Sequence, residues 1–199
     1  MLATAMNEAH LFAIGVALAA LAGVRVYLTV FGVGLAGLLG WVDLPPALAV
    51  AGSPWVLGTS GVLALIEFAF DKVPGVDSGW DLVHTLLRVP VGAFLAAATL
   101  SPDGQLGMGG LAVGAGASLL THLLKSGTRL LINSSPEPAS NWTASLGEDA
   151  VVLAALPLVI AHPWLAFSLV MGLLVAAFAA ALLLARWLAQ LLRRALAAA

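Results

Sequence analysis

The sequence has no cysteine, and only 9% of its 199 residues carry a charge. Without cysteine, a disulfide framework, a thiolate metal site and a thiol nucleophile are all excluded. No basic tract is present beyond Arg193-Arg194 and the formal net charge is −2, which argues against nucleic acid as a partner. A soluble domain carries charge on roughly a quarter of its residues. The scarcity of charge therefore indicates a protein whose main solvent is not water.

The chain is instead rich in apolar residues. They make up 61% of the chain, and the mean hydropathy is +1.05. Crossing a bilayer as a helix needs about 20 apolar residues, and the apolar stretches are long enough to predict an all-α, polytopic membrane protein. We expect one transmembrane domain over residues 1–199, surrounded by the lipid bilayer. Its six predicted spans lie near 9–39, 54–73, 80–100, 106–132, 143–161 and 163–187.

The distribution of lysine and arginine predicts the orientation. Lys72, Arg88, Lys125 and Arg129 lie in or beside two of the predicted loops, on the same side as the C-terminal arginines. The loops on the other side hold no lysine or arginine. Because cytoplasmic loops are enriched in these residues, both termini are predicted to be cytoplasmic.

The first apolar run is too long for one straight span. Its 31 predicted residues would rise about 46 Å against a hydrocarbon core of roughly 30 Å, so the run must bend or protrude, and Gly23 and Arg25 lie at its middle. Span four also has small residues followed by a basic cluster. Three spans followed by three related spans would form an inverted repeat, residues 7–100 and 105–190. A chance similarity between helices rich in Ala, Leu and Gly is the alternative.

Acidic residues cluster where span two ends and span three begins. Charges in hydrocarbon are expensive, so each must face a partner or a water-filled cavity. Glu67 and Asp71 are four residues apart and share one helical face, and Asp77 or Ser78 is expected to cap the next helix. Hard oxygen ligands of this kind suit Mg²⁺, Ca²⁺ or Mn²⁺. The predicted polar stripe of span three comprises Asp77, Asp81, His84 and Arg88, and the predicted metal ligands are Glu67, Asp71 and Asp81.

A second polar cluster lies on spans four and five. We expect the two clusters to meet at the centre of the protein, with Lys125 or Arg129 neutralising a carboxylate from span two or three. Arg25 is then a counter-ion for a buried acid or an anion contact, and Lys72 supports the site. The members of the second cluster are His122, Lys125, Arg129, Asn141, Glu148 and Asp149.

Residues 54–97 resemble a known family. The stretch "EFAFDKVPGVD" is similar to the E-F-x-x-D-K-[IV]-P-x-[IV]-D core of an uncharacterised bacterial membrane-protein family, domain of unknown function 4126, and the resemblance runs over residues 7–190. It implies the bacterial inner membrane as location. More distantly, "EFAFDK" resembles the E-x-G-D-K-[ST] motif of cation/proton exchangers built from inverted three-helix repeats. By that resemblance Glu67, Asp71 and Lys72 correspond to the motif, although its glycine and Ser/Thr are missing here.

Three functions compete. The first is a small transporter or channel for a cation, with a divalent ion and proton coupling as one form, in which no cofactor is needed and the acids of both clusters bind the ion. The second is an intramembrane enzyme or binding protein for a lipid phosphate, with Ser78 as the candidate nucleophile; the absence of any G-x-S-x-G or H-E-x-x-H motif makes an enzyme the less favoured alternative. The third is a structural subunit whose charges hold helices together. Small-residue rows such as Gly107, Gly110 and Gly114 permit close helix contacts, a homodimer included.

Overall fold

The chain folds into helices joined by short turns. The computed structural model describes residues 7–73, 76–101, 103–133 and 138–197, and these residues form seven α-helices and no strand, which confirms the all-α class. A short 3₁₀ helix, Ala49–Gly52, lies between the second and third helices. The helices are α1 (Glu8–Val24), α2 (Val26–Leu38), α3 (Pro54–Phe70), α4 (Val76–Thr99), α5 (Met108–Asn133), α6 (Pro138–Ala161) and α7 (Pro163–Ala197).

The first apolar run breaks at Arg25, as its excess length predicts. Arg25 has φ −141° and ψ 84°, outside the helical region, and separates α1 from α2. Thr29 stabilises the start of α2, because both its backbone amide and its hydroxyl donate to the Arg25 carbonyl, at 3.0 and 2.8 Å. The break therefore places a guanidinium where two helix ends meet.

The central helix is α1, which packs against α4, α5, α6 and α7 as well as α2. Ala13, Ala17 and Ala22 of α1 are fully buried. A Cβ atom at Gly23 would overlap the Thr121 hydroxyl and the Ser118 carbonyl of α5. Small residues on α1 thus let the backbones of neighbouring helices approach closely.

The glycine rows serve contacts within this chain. A Cβ at Gly114 would overlap Gly92 and Ala96 of α4, and one at Gly110 would crowd Ala97. Residues of α4 already cover Gly110 and Gly114. The homodimer stays a prediction, and it would have to form through other surfaces. Gly107 alone of the row has open space around it.

Two helical stretches of the described chain are long and apolar enough to cross a membrane, Ala139–Ala161 and Pro163–Ala180. Shorter apolar helices account for most of the remaining predicted spans: Glu8–Val24, Val26–Leu38, Pro54–Phe70 and Val83–Thr99. Glu8, Leu38, Pro54 and Thr99 lie within one residue of predicted span bounds, whereas Val24 and Val26 face each other across a break inside predicted span one.

Two sequence expectations about local structure need correction. The helix α4 begins at Val76, so Asp77 and Ser78 lie inside its first turn and neither precedes it as a cap. Lys72, Arg88, Lys125 and Arg129 are buried; Lys72 lies in the turn after α3, and the other three lie inside helices. The orientation of the termini stays a prediction.

Candidate functional site: a buried ring of charges at the helix break

Four charged side chains form a closed ring beside the break between α1 and α2. They are Arg25, Asp71, Lys125 and Glu148, and we refer to them as the charge ring. Arg25 Nη1 contacts Asp71 Oδ2, and Arg25 Nη2 lies 3.2 Å from Glu148 Oε2. Lys125 Nζ completes the ring at 2.9 Å from Asp71 Oδ2 and 3.4 Å from Glu148 Oε2. Cations and carboxylates alternate, and each cation bridges the same two acids.

Local structure explains how each member reaches the ring. Arg25 occupies the break itself, Asp71 is the C-cap of α3, and Lys125 and Glu148 project from continuous stretches of α5 and α6. The first half of the chain supplies Arg25 and Asp71, and the second half supplies the other pair. Arg25 and Asp71 are at most 1% exposed, whereas the Glu148 side chain is 17% exposed. Glu148 is therefore the most exposed member of the ring, although its Oε2, which contacts both cations, is buried.

Further charges surround the ring. Asp149 Oδ1 lies 3.0 Å from Arg25 Nε, and its Oδ2 lies 3.7 Å from Lys72 Nζ. Lys72 also donates to the Phe68 carbonyl at 2.8 Å and covers the Phe68 ring. Ser145 links the two cations, because its Oγ accepts from Arg25 Nη2 at 3.0 Å and from Lys72 at 3.3 Å.

Arg129 anchors the end of α3 to α6. Its Nη1 donates to the Asp71 carbonyl at 3.2 Å and to Asn141 Oδ1 at 2.7 Å, and its Nε donates to Glu148 Oε1 at 3.0 Å. A cation at a helix C-terminus is favourable because the last carbonyls are otherwise unsatisfied. Arg129 therefore fixes both acids, Asp71 through the backbone and Glu148 through its side chain.

A second buried chain of contacts runs across α3, α4 and α5, and we refer to it as the Glu67 chain. Glu67 Oε1 accepts from Arg88 Nη2 at 2.6 Å, and Arg88 Nη1 lies 2.9 Å from His122 Nδ1. Arginine nitrogens only donate, so His122 Nδ1 accepts and the neutral ring carries its proton on Nε2. That nitrogen lies 2.6 Å from the Thr85 hydroxyl.

Tyr27 and His84 form a neighbouring pair between α2 and α4. The Tyr27 hydroxyl lies 2.9 Å from His84 Nε2, and the rings meet edge to face. Beside this pair a cleft of about 340 Å³ opens between α2, α3 and α4; besides Tyr27 it is lined mainly by apolar side chains such as Trp55, Val56 and Leu87.

Four carboxylate oxygens are buried without a hydrogen bond from any residue that the structure describes: Glu67 Oε2, Asp71 Oδ1, Glu148 Oε2 and Asp149 Oδ2. Glu148 Oε2 still lies 3.2 and 3.4 Å from Arg25 and Lys125, and Asp149 Oδ2 lies 3.7 Å from Lys72. The ion pairs of Glu67 and Asp71 use their other oxygens. Buried polar atoms are normally satisfied, so Glu67 Oε2 and Asp71 Oδ1 mark places where the network can still accept a proton or a cation.

The predicted meeting of the two clusters is observed. Lys125 neutralises Asp71 as expected, and Arg25 is a counter-ion for buried acids. The residues brought together are Glu67, Asp71, Glu148 and Asp149, with Arg25, Lys72, His84, Arg88, His122, Lys125, Arg129 and Asn141. Glu67 and Asp71 engage different cations, Arg88 for the first and Arg25 with Lys125 for the second.

The side chains of Asp77 and Asp81 lie outside the described residues. Within the described part of the chain, no group of three or more His, Asp or Glu side chains is placed to hold a metal ion. The metal assignment to Glu67, Asp71 and Asp81 stays a prediction, since it depends on Asp81.

Four hydroxyl residues of the network were not predicted from the sequence. Ser145 is fully buried between Arg25 and Lys72, and Thr85 contacts His122. Ser118 donates to the Arg88 carbonyl at 2.7 Å, and Thr121 donates to the Ala20 carbonyl at 2.8 Å. The spacing of Asn141, Ser145 and Glu148 on one face of α6 was the available signal for Ser145.

Comparison with known proteins yields one match. No curated protein and no solved structure matches the chain. The family described as Domain of unknown function (DUF4126) matches residues 12–182, a range that holds every described member of the charge ring and of the Glu67 chain. The protein therefore belongs to this family, as its "EFAFDKVPGVD" core predicts.

Proposed function

We propose that the protein is a small polytopic membrane transporter for a cation, located in the bacterial inner membrane with both termini in the cytoplasm. Burial supports the membrane part of the proposal. Arg25 and Arg88 are at most 1% exposed, whereas Trp55 is 85% and Leu86 77% exposed. A soluble protein shows the reverse, with charges outside and large apolar residues inside. Charges inside and apolar residues outside suit a protein whose surface faces lipid.

Six crossings accommodate the seven helices if α1 and α2 form one broken crossing. Together they rise about 45 Å at 1.5 Å per residue, more than a core of roughly 30 Å requires. Broken helices at membrane depth occur where the freed backbone groups line a site. The break at Arg25 fits that description, because Lys125 donates to the Val24 carbonyl at 3.3 Å.

The charge ring carries the transport proposal. Transporters built from two related halves place their sites at the junction between the halves, beside interrupted helices. Here one cation and one carboxylate come from each half of the chain and meet at the break. Glu148, on the more exposed side, provides the route by which an ion reaches Asp71.

A purely structural role is the competing explanation. Buried ion pairs are weak stabilisers, and well-packed apolar residues often replace them at no loss of stability. Close packing of α1 with α4 and α5 already holds these helices together through small residues. A network in which cations are shared among several acids is therefore not needed to hold the helices together. This favours a function in which the charged side chains bind an ion.

A lipid phosphate is the less favoured ligand. Arg25, Lys125 and Arg129, which would hold the phosphate, each contact a carboxylate at present. A phosphate would have to displace these acids from their own cations.

The test is ion flux into liposomes containing the purified protein and dyes sensitive to pH and to divalent cations. Gradients of Na⁺, K⁺, Ca²⁺, Mn²⁺, Mg²⁺ and Zn²⁺ are applied in turn. We expect one ion to move, Asp71→Asn to abolish that flux, and Asp43→Asn to leave it unchanged. Asp43 is the matched control because it is exposed in the loop after α2. Folded protein that moves no ion, or a folded Asp71→Asn variant with wild-type flux, would contradict the proposal.

A further inference from the structure

The ammonium of Lys125 lies in a cage of oxygen atoms. Within 3.4 Å of Nζ are the Asp71 Oδ2, the Glu148 Oε2 and the backbone carbonyl of Val24. The carbonyl is available because the helix ends at that residue, where the backbone turns away at Arg25. Two carboxylates and a freed carbonyl from three separate helices thus converge on one positive charge.

From this geometry we infer that the cage is a binding site for a monovalent cation. In the protein without a bound ion, the Lys125 ammonium occupies the position of that ion. The inference rests on the proposed transport function and names its substrate class. An ammonium group is similar in size to K⁺ and bears the same charge. Carbonyl oxygens that replace a hydration shell are the known means of binding such ions.

Charge balance favours a monovalent ion over a divalent one. The described side chains around the cage are four cations, Arg25, Lys72, Lys125 and Arg129, and three carboxylates, Asp71, Glu148 and Asp149. A monovalent ion that displaces Lys125 replaces its charge one for one. A divalent ion would add a further positive charge to a site where the described cations already outnumber the described carboxylates.

Coordination leads to the same choice. Oxygen ligands lie about 2.3–2.6 Å from Ca²⁺ and about 2.0–2.1 Å from Mg²⁺. The three cage oxygens belong to one loosely spaced shell, with contacts of 2.9, 3.3 and 3.4 Å. Asp71, which is fully buried, has one more oxygen, Oδ1, that accepts no hydrogen bond from a described residue. That oxygen is a further ligand for an ion that has lost part of its water.

The test is a thermal-unfolding titration of the Lys125→Ala variant in detergent, which needs no transport assay. In choline chloride the variant should unfold several degrees below wild type. Added K⁺ or ammonium should raise its Tm saturably, and Mg²⁺ or Ca²⁺ at equal ionic strength should not. Lys125→Arg keeps the tethered charge and should show no ion-specific shift. Adding Asp71→Asn to Lys125→Ala removes a cage ligand and should abolish the shift.

Each outcome is decisive. Equal effects of choline, K⁺ and divalent ions on Lys125→Ala would overturn the inference. If that variant does not fold in choline, its refolding yield in K⁺ or ammonium becomes the measurement, and failure to refold in either ion also overturns it. An ion-specific shift in the Tm of Lys125→Ala, without ion flux through the wild type, would support the cation site and contradict the transport function. Flux of a divalent ion through the wild type, without a Tm shift of Lys125→Ala in K⁺ or ammonium, would support the transport function and contradict this cation site.

Discussion

Glu67 and Arg88 form a buried pair 2.6 Å apart, in which neither side chain is more than 1% exposed. Removing one member of such a pair leaves a charge in an apolar interior, which typically costs roughly 3–5 kcal/mol, whereas replacing both members is often neutral. This asymmetry makes the pair a test of whether the Glu67 chain is structural.

We predict that Arg88→Met lowers the free energy of unfolding by roughly 3–5 kcal/mol. The double variant Glu67→Leu, Arg88→Met should recover most of that loss, because the orphaned carboxylate is gone. Reversible unfolding in mixed micelles measures both variants. Wild-type stability of Arg88→Met alone would contradict the prediction. Wild-type ion flux through the double variant would show that the Glu67 chain has a structural role. The transport function would then depend on the charge ring.

Gly23→Ala should destabilise the protein by roughly 1–3 kcal/mol, as overpacked sites do. The added methyl group would meet the Thr121 hydroxyl and the Ser118 backbone carbonyl, and the backbone cannot move aside easily. The matched control is Gly116→Ala on α5, where an added Cβ meets nothing within 4 Å. That control should gain up to about 1 kcal/mol through helix propensity. Similar effects of the two substitutions on thermal unfolding would argue against the close approach of α1 and α5.

Thr121→Val should lower stability by about 0.5–1.5 kcal/mol, the usual net value of an internal hydrogen bond. Its hydroxyl joins α5 to the Ala20 carbonyl of α1 at 2.8 Å. Thr128→Val is the control, because the Thr128 hydroxyl contacts only its own helix, at Leu124, and is exposed. The difference between the two variants in unfolding free energy isolates the contact between helices. Equal losses would show that the contact to α1 contributes nothing.

Much of the helical order could be predicted from the sequence. The predicted span bounds at residues 54, 100 and 163 lie within one residue of helix ends, and the excess length of the first apolar run predicted a bend or a protrusion, of which the break at Arg25 is the bend. The prediction that Lys125 or Arg129 neutralises a carboxylate of span two or three followed from the cost of leaving such charges alone, and Lys125 is the residue that meets Asp71. These successes share a cause: few polar residues in an apolar chain have few possible partners.

Other features depended on packing that a sequence does not display. Lys72 and Arg88 adjoin a predicted loop, and only the tertiary arrangement shows that both are buried. Ser145 acts through its backbone carbonyl as well as its hydroxyl, and backbone contacts leave no trace in residue type. Glu67 and Asp71 share a helical face, yet their separate cations come from different helices, which spacing alone could not reveal.

The central position of α1 has a consequence for biogenesis. The groups that contact Arg25 are synthesised after it: Asp71 follows by 46 residues and Ser145 by 120. Until α6 has emerged from the ribosome, Arg25 lacks its full set of partners, so the break between α1 and α2 cannot reach its final arrangement. A chain that stops before α6 would accordingly hold an incompletely neutralised arginine at the junction of α1 and α2.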